Sequence, residues 1–373
     1  MTDLDYMLEA IDLARRGEGW VEPNPMVGAV VVRGGEVVGR GWHGRFGGPH
    51  AEVEALADAR RHGHDPAGAT MYVTLEPCSH QGKTPPCADA LVRGGLARVV
   101  VAMRDPFEKV AGRGIARLRE AGIRVEVGVA EEQAARLTEP FVKRVTTGLP
   151  WVVLKWAQTL DGRIATASGD SKWISSPASR QRVHELRSRV DAVMVGIGTA
   201  IADDPQLTAR GVEVRRQARR VVVDPGLHLP RLAKLLAGDG PPVIVAARQA
   251  VLSEAAELTG FLRDQGAELI GLPPRGGGQR GVSLRPLLEH LASEHEATRV
   301  LVEGGAGLAG ALLREGLADQ VLAFVAPKLL GDKRGVAAVR GRDVEKMSDA
   351  WPLELREVER IGDDVLLNYR VAR

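Results

Sequence analysis

Short β-branched runs alternate with amphipathic stretches along almost the whole chain, and that alternation limits the fold more than any other feature. MVGAVVVR (26–33) reads as a buried strand, Gly34-Gly35 turns the chain, and EVVGRGWH (36–43) reads as the second strand of a hairpin. Apolar positions at helical spacing (Leu4, Met7, Leu8, Ile11) predict a helix over 3–16 that Gly17 ends. Helices follow over 50–61, 86–92, 113–121 and 131–145, with strands at 69–75, 98–103 and 123–129. One hairpin followed by strand–helix alternation predicts a mixed α/β sheet with helices on both faces. A second such series predicts strands near 151–156, 192–197, 220–224, 243–247, 267–271, 299–302, 321–325 and 364–370. Its helices fall near 177–189, 251–265, 284–294 and 306–315, and the series reads as all-parallel. PPRGGGQRG (273–281) reads as a loop.

At 373 residues the chain exceeds one ordinary core. TTGLP (146–150) reads as a linker, which predicts domains at 1–146 and 150–373. No apolar run reaches the ~20 residues that span a bilayer. The N-terminus lacks the charged-then-apolar layout of a leader. The net charge is +2, and no run of Lys or Arg stands out, which argues against a nucleic-acid footprint. A cytoplasmic enzyme of a small-molecule substrate is the expectation.

The two cysteines, Cys78 and Cys87, are the only ones in the chain. In a reducing compartment they read as metal ligands rather than a disulfide. GWHGRFGGPHAE (41–52) precedes them, and TLEPCSHQGKTPPC (74–87) contains them. His50 opens one predicted helix, Cys87 lies in the first turn of another, and Cys78 follows a strand. One imidazole and two thiolates suit zinc and leave a fourth position open for water, whose pKa falls to ~7. Glu52, two residues past His50, is placed to carry the proton to a ring nitrogen and the leaving amine. H-x-E followed by P-C-x-x-C is the pattern of zinc deaminases. Here the second part is P-C-x8-C, and the insert is basic and polar. Its Lys83, Thr84 and His80 read either as phosphate ligands or as solvated loop residues.

PNPMVGAVVV (23–32), GWHGRFGGPHAE (41–52) and EPCSHQGKTPPC (76–87) together resemble the deaminase domain of the bifunctional riboflavin-biosynthesis deaminase–reductases. The resemblance implies a cytidine-deaminase-like three-layer domain. It implies zinc on His50, Cys78 and Cys87, Glu52 as proton carrier, and Asn24, His43, Lys83 and Thr84 near a diaminopyrimidinone with a phosphoribosylamino arm. Water would replace the ring amine.

The second half has no G-x-G-x-x-G after its first strand. VEGGAGLAGALL (302–313) instead runs from a strand through glycines into a helix, a layout that serves phosphate binding or close packing. LKWAQTLDGRIA (154–165), SGDSKWISS (168–176), HELRSRVDAVMVGIGTAIADDPQLTAR (184–210), VVVDP (221–225), VEGG (302–305) and APKLLG (326–331) resemble the reductase half of the same family. The resemblance implies a dihydrofolate-reductase-like fold and NADPH reducing the opened ribose arm to a ribityl chain. It places Ala157, Trp173, Thr199, Asp203, Gly305, Ala306, Gly307, Leu308, Ala309, Gly310 and Ala311 along the cofactor. Ser171, Arg187, Leu207, Arg210 and Glu303 fall along the substrate. Arg187 and Arg210 read as forks for its phosphate or as salt bridges. Trp173 reads as a cofactor contact or a core aromatic. Lys155, inside an apolar strand, reads as a group at the reacting centre or as half of a structural ion pair. Pro225 stands where the family often carries a small hydroxyl near the cofactor's 2′-phosphate. A homo-oligomer, dimer or tetramer, is expected.

Two rivals remain. A nucleic-acid base deaminase with an appended nucleotide-binding domain predicts the short P-C-x-x-C spacing and a basic stripe. A regulatory module with a structural zinc predicts loss of the HAE carboxylate. The sequence carries none of these features.

Overall fold

The structure, a computed structural model, describes all residues except 80–84, 108–110, 239, 277–280 and 373. The chain forms two compact units, Met1–Leu149 and Pro150–Arg373. The boundary falls inside the predicted linker, although Thr146 and Thr147 still belong to a helix.

The first unit runs α1 (Asp3–Arg15), β1 (Gly28–Arg33), β2 (Glu36–Trp42), α2 (Ala51–Arg61), β3 (Thr70–Val73), α3 (Cys87–Arg93), β4 (Arg98–Val101), α4 (Arg113–Glu120), β5 (Arg124–Val127) and α5 (Glu131–Thr147). The sheet order is β2-β1-β3-β4-β5, antiparallel across β2, β1 and β3 and parallel from β3 to β5. Strand period divides the core. Ala29, Val31, Met71 and Val99 pack with α2, α3 and α4 on one face, and Val30, Val32, Tyr72 and Val100 pack with α1 and α5 on the other. Each of these valines, and Met71, contributes roughly 1.5–3 kcal/mol on full burial. Thr2 begins α1 with a capping box to Asp5. The buried residues of α1 are Tyr6, Met7, Ala10, Ile11, Leu13 and Ala14, while the expected Leu4 and Leu8 are exposed. Gly28 lets α1 sit close to β1, since a Cβ there would stand 2.0 Å from the Ala10 carbonyl oxygen, so the face that carries Ala10 and Ala14 meets the sheet and the one that carries Leu4 and Leu8 does not.

The second unit runs β6 (Trp151–Thr159), β7 (Arg163–Ala165), α6 (Pro177–Arg187), β8 (Ala192–Gly196), α7 (Ile197–Asp203), β9 (Arg219–Val223), β10 (Ile244–Arg248), α8 (Gln249–Glu254), α9 (Ala256–Asp264) and β11 (Glu268–Leu272). It continues through α10 (Arg285–Ser293), β12 (Arg299–Glu303), α11 (Ala306–Arg314), β13 (Gln320–Ala326), β14 (Val336–Ala337), β15 (Leu353–Ile361) and β16 (Asp364–Val371). Nine strands form one sheet in the order β11-β10-β9-β8-β12-β6-β13-β16-β15, and β7 pairs with β14 separately. Neighbours from β11 to β13 are parallel, but β16 is antiparallel to both β13 and β15. The all-parallel expectation therefore fails at this end. β15 and β16 are joined by a two-residue turn, which forces an antiparallel pair. β7, α7, β14 and β15 were not expected from the sequence, and the helix expected over 251–265 is two helices meeting at Ala255. Val193, Val195, Val222, Val245, Leu301 and Phe324 are buried at the heart of this unit.

Candidate active sites

In the first unit, sequence and packing bring three ligand atoms together at the ends of two helices. His50 is the N-cap of α2, and Cys87 is the first residue of α3. Cys78 lies on the segment that leaves the β3 end of the sheet. The Nδ1 of His50 is 3.1 Å from the Cys87 Sγ and 3.6 Å from the Cys78 Sγ. All three ligand atoms fall within 4.8 Å of one another. The backbone N–H of Cys87 donates to the Cys78 Sγ at 3.3 Å. The Cys87 thiol, then His50 and that backbone bond, hold the Cys78 thiol down to about 4, while the bond to Cys78 and burial push Cys87 up. One imidazole and two sulfurs at this spacing fit a zinc ion.

Glu52 is buried on the first turn of α2. Burial, aided by the Cys78 thiolate, pushes its carboxyl up to about 7. α2 reaches this position because β2 passes beneath it without a side chain. A Cβ on Gly41 would stand 2.3 Å from both the Ala51 carbonyl oxygen and the Ala55 nitrogen. Glu52, His50 and Cys78 line a cavity of about 340 Å³ together with Asn24 and His43. His43 donates from Nδ1 to the Pro49 carbonyl at 2.9 Å, so its Nε2 accepts the Asn24 amide at 3.1 Å. Burial keeps the His43 ring below its ordinary range and neutral. Lys83, Thr84 and His80 lie outside the described residues.

The same cavity gathers residues that the sequence reading missed: Phe46, Asp105, Phe107, Phe141 and Val145. Asp105 and Phe107 follow the end of β4, where α/β sheets place their ligands, and that rule was the available signal. Glu76 was also missed. Its carboxylate accepts the N–H groups of Asp105, Gly112, Gly114 and Ile115 at 2.9–3.2 Å, tying the Cys78 segment to the start of α4.

In the second unit a cavity of about 1250 Å³ opens at the carboxyl ends of β8, β9 and β12. Ala157, Ser171, Trp173, Thr199, Asp203, Leu207, Arg210 and Glu303 line it, as do Gly305, Ala306, Gly307, Leu308 and Ala311. Ala309 and Gly310 do not line it. They occupy the buried side of α11, where a Cβ on Gly310 would meet the Arg340 carbonyl at 1.8 Å. Gly304 and Gly305 take φ of 67° and 81°, which L side chains rarely adopt, and open the start of α11 toward the cavity beside Thr199. A glycine turn into a helix, beside this volume, fits a dinucleotide. Trp173 is 63% exposed on the rim, under the Arg180 guanidinium at 4.4 Å, so it is not a core aromatic.

Arg187 is committed. Its Nε and Nη2 donate to the two Glu303 oxygens at 2.6 and 2.9 Å, and Nη1 donates to the Thr208 carbonyl at 3.1 Å. Of the two readings, phosphate fork or salt bridge, the structure shows the ion pair, and Arg187 also lines the cavity. Lys155 approaches the same carboxylate at 3.8 Å and lies over the Phe324 ring. Burial alone would raise the Glu303 carboxyl, but Arg187 and Lys155 overcome it and hold it at about 2. Arg210 is exposed, steadied by Gln206 and Thr208, and keeps donors for an anion.

Comparison with known proteins matches these two sites to one lineage. Residues 150–367 match the RibD C-terminal domain, and residues 1–103 match the cytidine and deoxycytidylate deaminase zinc-binding region. The riboflavin biosynthesis protein RibD of Aquifex aeolicus is 42% identical over 99% of this chain and 98% of its own length. The chain belongs to the RibD family. The Escherichia coli RibD is 41% identical over 99% of both chains. Among solved structures, an Acinetobacter baumannii RibD superposes with a TM-score of 0.84 at 40% identity, covering 100% of this chain and 99% of its own. A Thermotoga maritima diaminohydroxyphosphoribosylaminopyrimidine deaminase/5-amino-6-(5-phosphoribosylamino)uracil reductase does so at 0.84 and 38%, covering 99% of each. The fold is that of RibD: a cytidine-deaminase-like first domain and a dihydrofolate-reductase-like second.

Proposed function

We propose that the chain is a bifunctional enzyme of riboflavin biosynthesis. It hydrolytically deaminates 2,5-diamino-6-(5-phosphoribosylamino)pyrimidin-4-one and then reduces the ribosyl arm with NADPH. The observation that carries the reading is the convergence of His50, Cys78 and Cys87 beside the buried Glu52 carboxyl. His50, Cys78 and Cys87 would hold a zinc ion, which would supply Lewis-acid activation of a water molecule. Glu52, poised near neutrality, relays one proton of the attacking water to the ring nitrogen and then the second to the departing amine, so that water oxygen enters and ammonia leaves. Asn24, fixed by His43, offers its amide to the ring or the ribose. Lys83 and Thr84 are read as contacts to the substrate's phosphorylated arm.

In the second domain, the turn Gly304–Gly305 and the start of α11 hold the cofactor's phosphates, with Ala157, Trp173, Thr199 and Asp203 along it. NADPH supplies the hydride. Glu303, Ser171, Leu207 and Arg210 face the substrate, and Arg210 meets its phosphate. Arg187 and Lys155 keep Glu303 ionised and in place. The domains are read as 1–146 for deamination and 150–373 for reduction. Thiolate ligands suit a reducing compartment, and the enzyme is read as cytoplasmic; no helix among the described residues is long and apolar enough to cross a membrane. It is read as a homo-oligomer because β15, an edge strand, exposes Leu353, Leu355 and Val358.

The test is a pair of assays on Glu52→Ala. Ammonia release should fall by about 10²–10⁴-fold or more, the usual worth of a positioned acid–base group. NADPH oxidation by the deaminated substrate should persist. Undiminished ammonia release would remove Glu52 from the reaction.

A further inference from the structure

A second cluster of metal-type side chains lies in the reductase unit, far along the strands from its cavity. Glu268 is the first residue of β11, whereas the cavity is bordered by Gly196, Val223 and Glu303, the last residues of β8, β9 and β12. In a parallel sheet these are opposite ends. His290 stands in the last turn of α10. Beyond it the chain reverses at Glu296, with φ of 51°, and the Ala297 N–H donates to the Leu291 carbonyl at 2.9 Å. His295 sits just before this reversal, one residue past the helical C-cap Glu294, and so stays beside the helix end. The Nε2 of His290 lies 2.5 Å from one Glu268 oxygen, and the Nε2 of His295 lies 2.9 Å from the other. The two rings meet edge to face at 5.2 Å.

We propose that Glu268, His290 and His295 bind a divalent transition-metal ion of the zinc class, as a metal site separate from the Cys78–Cys87 centre. Their ligand atoms lie within 4.8 Å of one another. Ligands about 2.0–2.1 Å from a tetrahedral ion stand ~3.3 Å apart, so small side-chain shifts suffice to admit one. Two imidazoles and one carboxylate form a donor set that zinc accepts, with water completing the shell. The cluster is partly solvent-exposed, which leaves room for that water and a path for the ion. At this end of the sheet the ion takes no part in hydride transfer. It joins the edge strand β11 to the end of α10.

The competing arrangement is two imidazole N–H groups donating to one carboxylate, with no ion. Metal content separates them. The full chain is stripped with chelator, reloaded with Zn²⁺, passed through a desalting column and assayed for zinc. Wild type should retain two ions per chain, one for each cluster. His290→Ala/His295→Ala should retain one and keep ammonia release. Cys78→Ser/Cys87→Ser should also retain one while losing ammonia release. With Co²⁺, that cysteine variant should show a ligand-field spectrum without a thiolate charge-transfer band. Glu268→Gln, which preserves volume and can still accept a hydrogen bond, should abolish that spectrum. If the histidine variant holds as much zinc as wild type, or wild type holds only one ion, the second site is refuted. Should the cysteine variant fail to fold, the count of wild type against the histidine variant decides alone.

Discussion

Glu303 is buried and still held at about 2, because Arg187 grips both its oxygens and Lys155 stands behind. Breaking such a pair from one side leaves an uncompensated charge, which typically costs about 3–5 kcal/mol. Arg187→Leu should therefore lower the denaturation midpoint of the reductase unit sharply, and NADPH oxidation should fall with it. An unchanged midpoint would mean that water already reaches the carboxylate. In the sequence, Arg187 and Glu303 were visible as site residues, but 116 positions separate them. Only the fold reveals that one is the other's counterion. His50, Cys78, Cys87 and Glu52 were more legible, since metal chemistry restricts which residues can stand at short fixed spacings. Glu76 left no such mark. A carboxylate that caps four backbone N–H groups looks like any other acid before a Pro-Cys pair.

Elements transmit these constraints. Gly41 lets α2 settle on β2, and α2 begins at His50 and carries Glu52. In Gly41→Val the added side chain cannot fit 2.3 Å from the helix backbone. Zinc retention and ammonia release should both drop, with NADPH oxidation by the deaminated substrate unaffected. At the other face, Arg98 on β4 bridges Asp3 of α1 and Glu126 of β5. Arg98, together with the Tyr72 hydroxyl, holds Asp3 at about 2, below its ordinary 3.8. A depressed carboxylate contributes stability that is complete above about pH 4 and disappears as pH falls toward 2. Hence Arg98→Ala should be less stable than wild type at pH 7, and the gap should close between those values. Denaturant midpoints measured across that range would check it; a gap that is constant with pH would assign the loss to packing. Strand and helix periods exposed most of these elements in advance. β15 escaped because LELREVERI has a bulge and lies at an edge, so its charges and leucines share no single buried face. The break at Ala255 was equally invisible, since no proline or glycine marks it.

Each unit buries its own apolar core, one drawn from residues 6–137 and the other from 151–366. A polypeptide beginning at Pro150 should accordingly fold and oxidise NADPH with the deaminated substrate at close to the full chain's rate. A chelator that strips zinc should leave that rate alone while ending ammonia release in the full chain. Loss of reduction in the isolated half would show that it depends on the first unit. The division into halves, and the chemistry of each, could be read from motif order. The reversed direction of the last strands could not, because nothing in strand period encodes the sense of a neighbour.

The final strand, β16, is not an appendage. It lies between β13 and β15, and its first residue, Asp364, takes the Ser176 N–H at 2.7 Å and the Ser179 hydroxyl at 2.6 Å, fastening the helix that bears Arg187. This strand, late in sequence order, therefore supplies an interior piece, and until it has left the ribosome the second half stays unfinished. The first half, complete long before, is free to fold during synthesis. A chain cut short before β16 would thus yield a working deaminase joined to a failed reductase, releasing an intermediate that the same molecule could no longer consume.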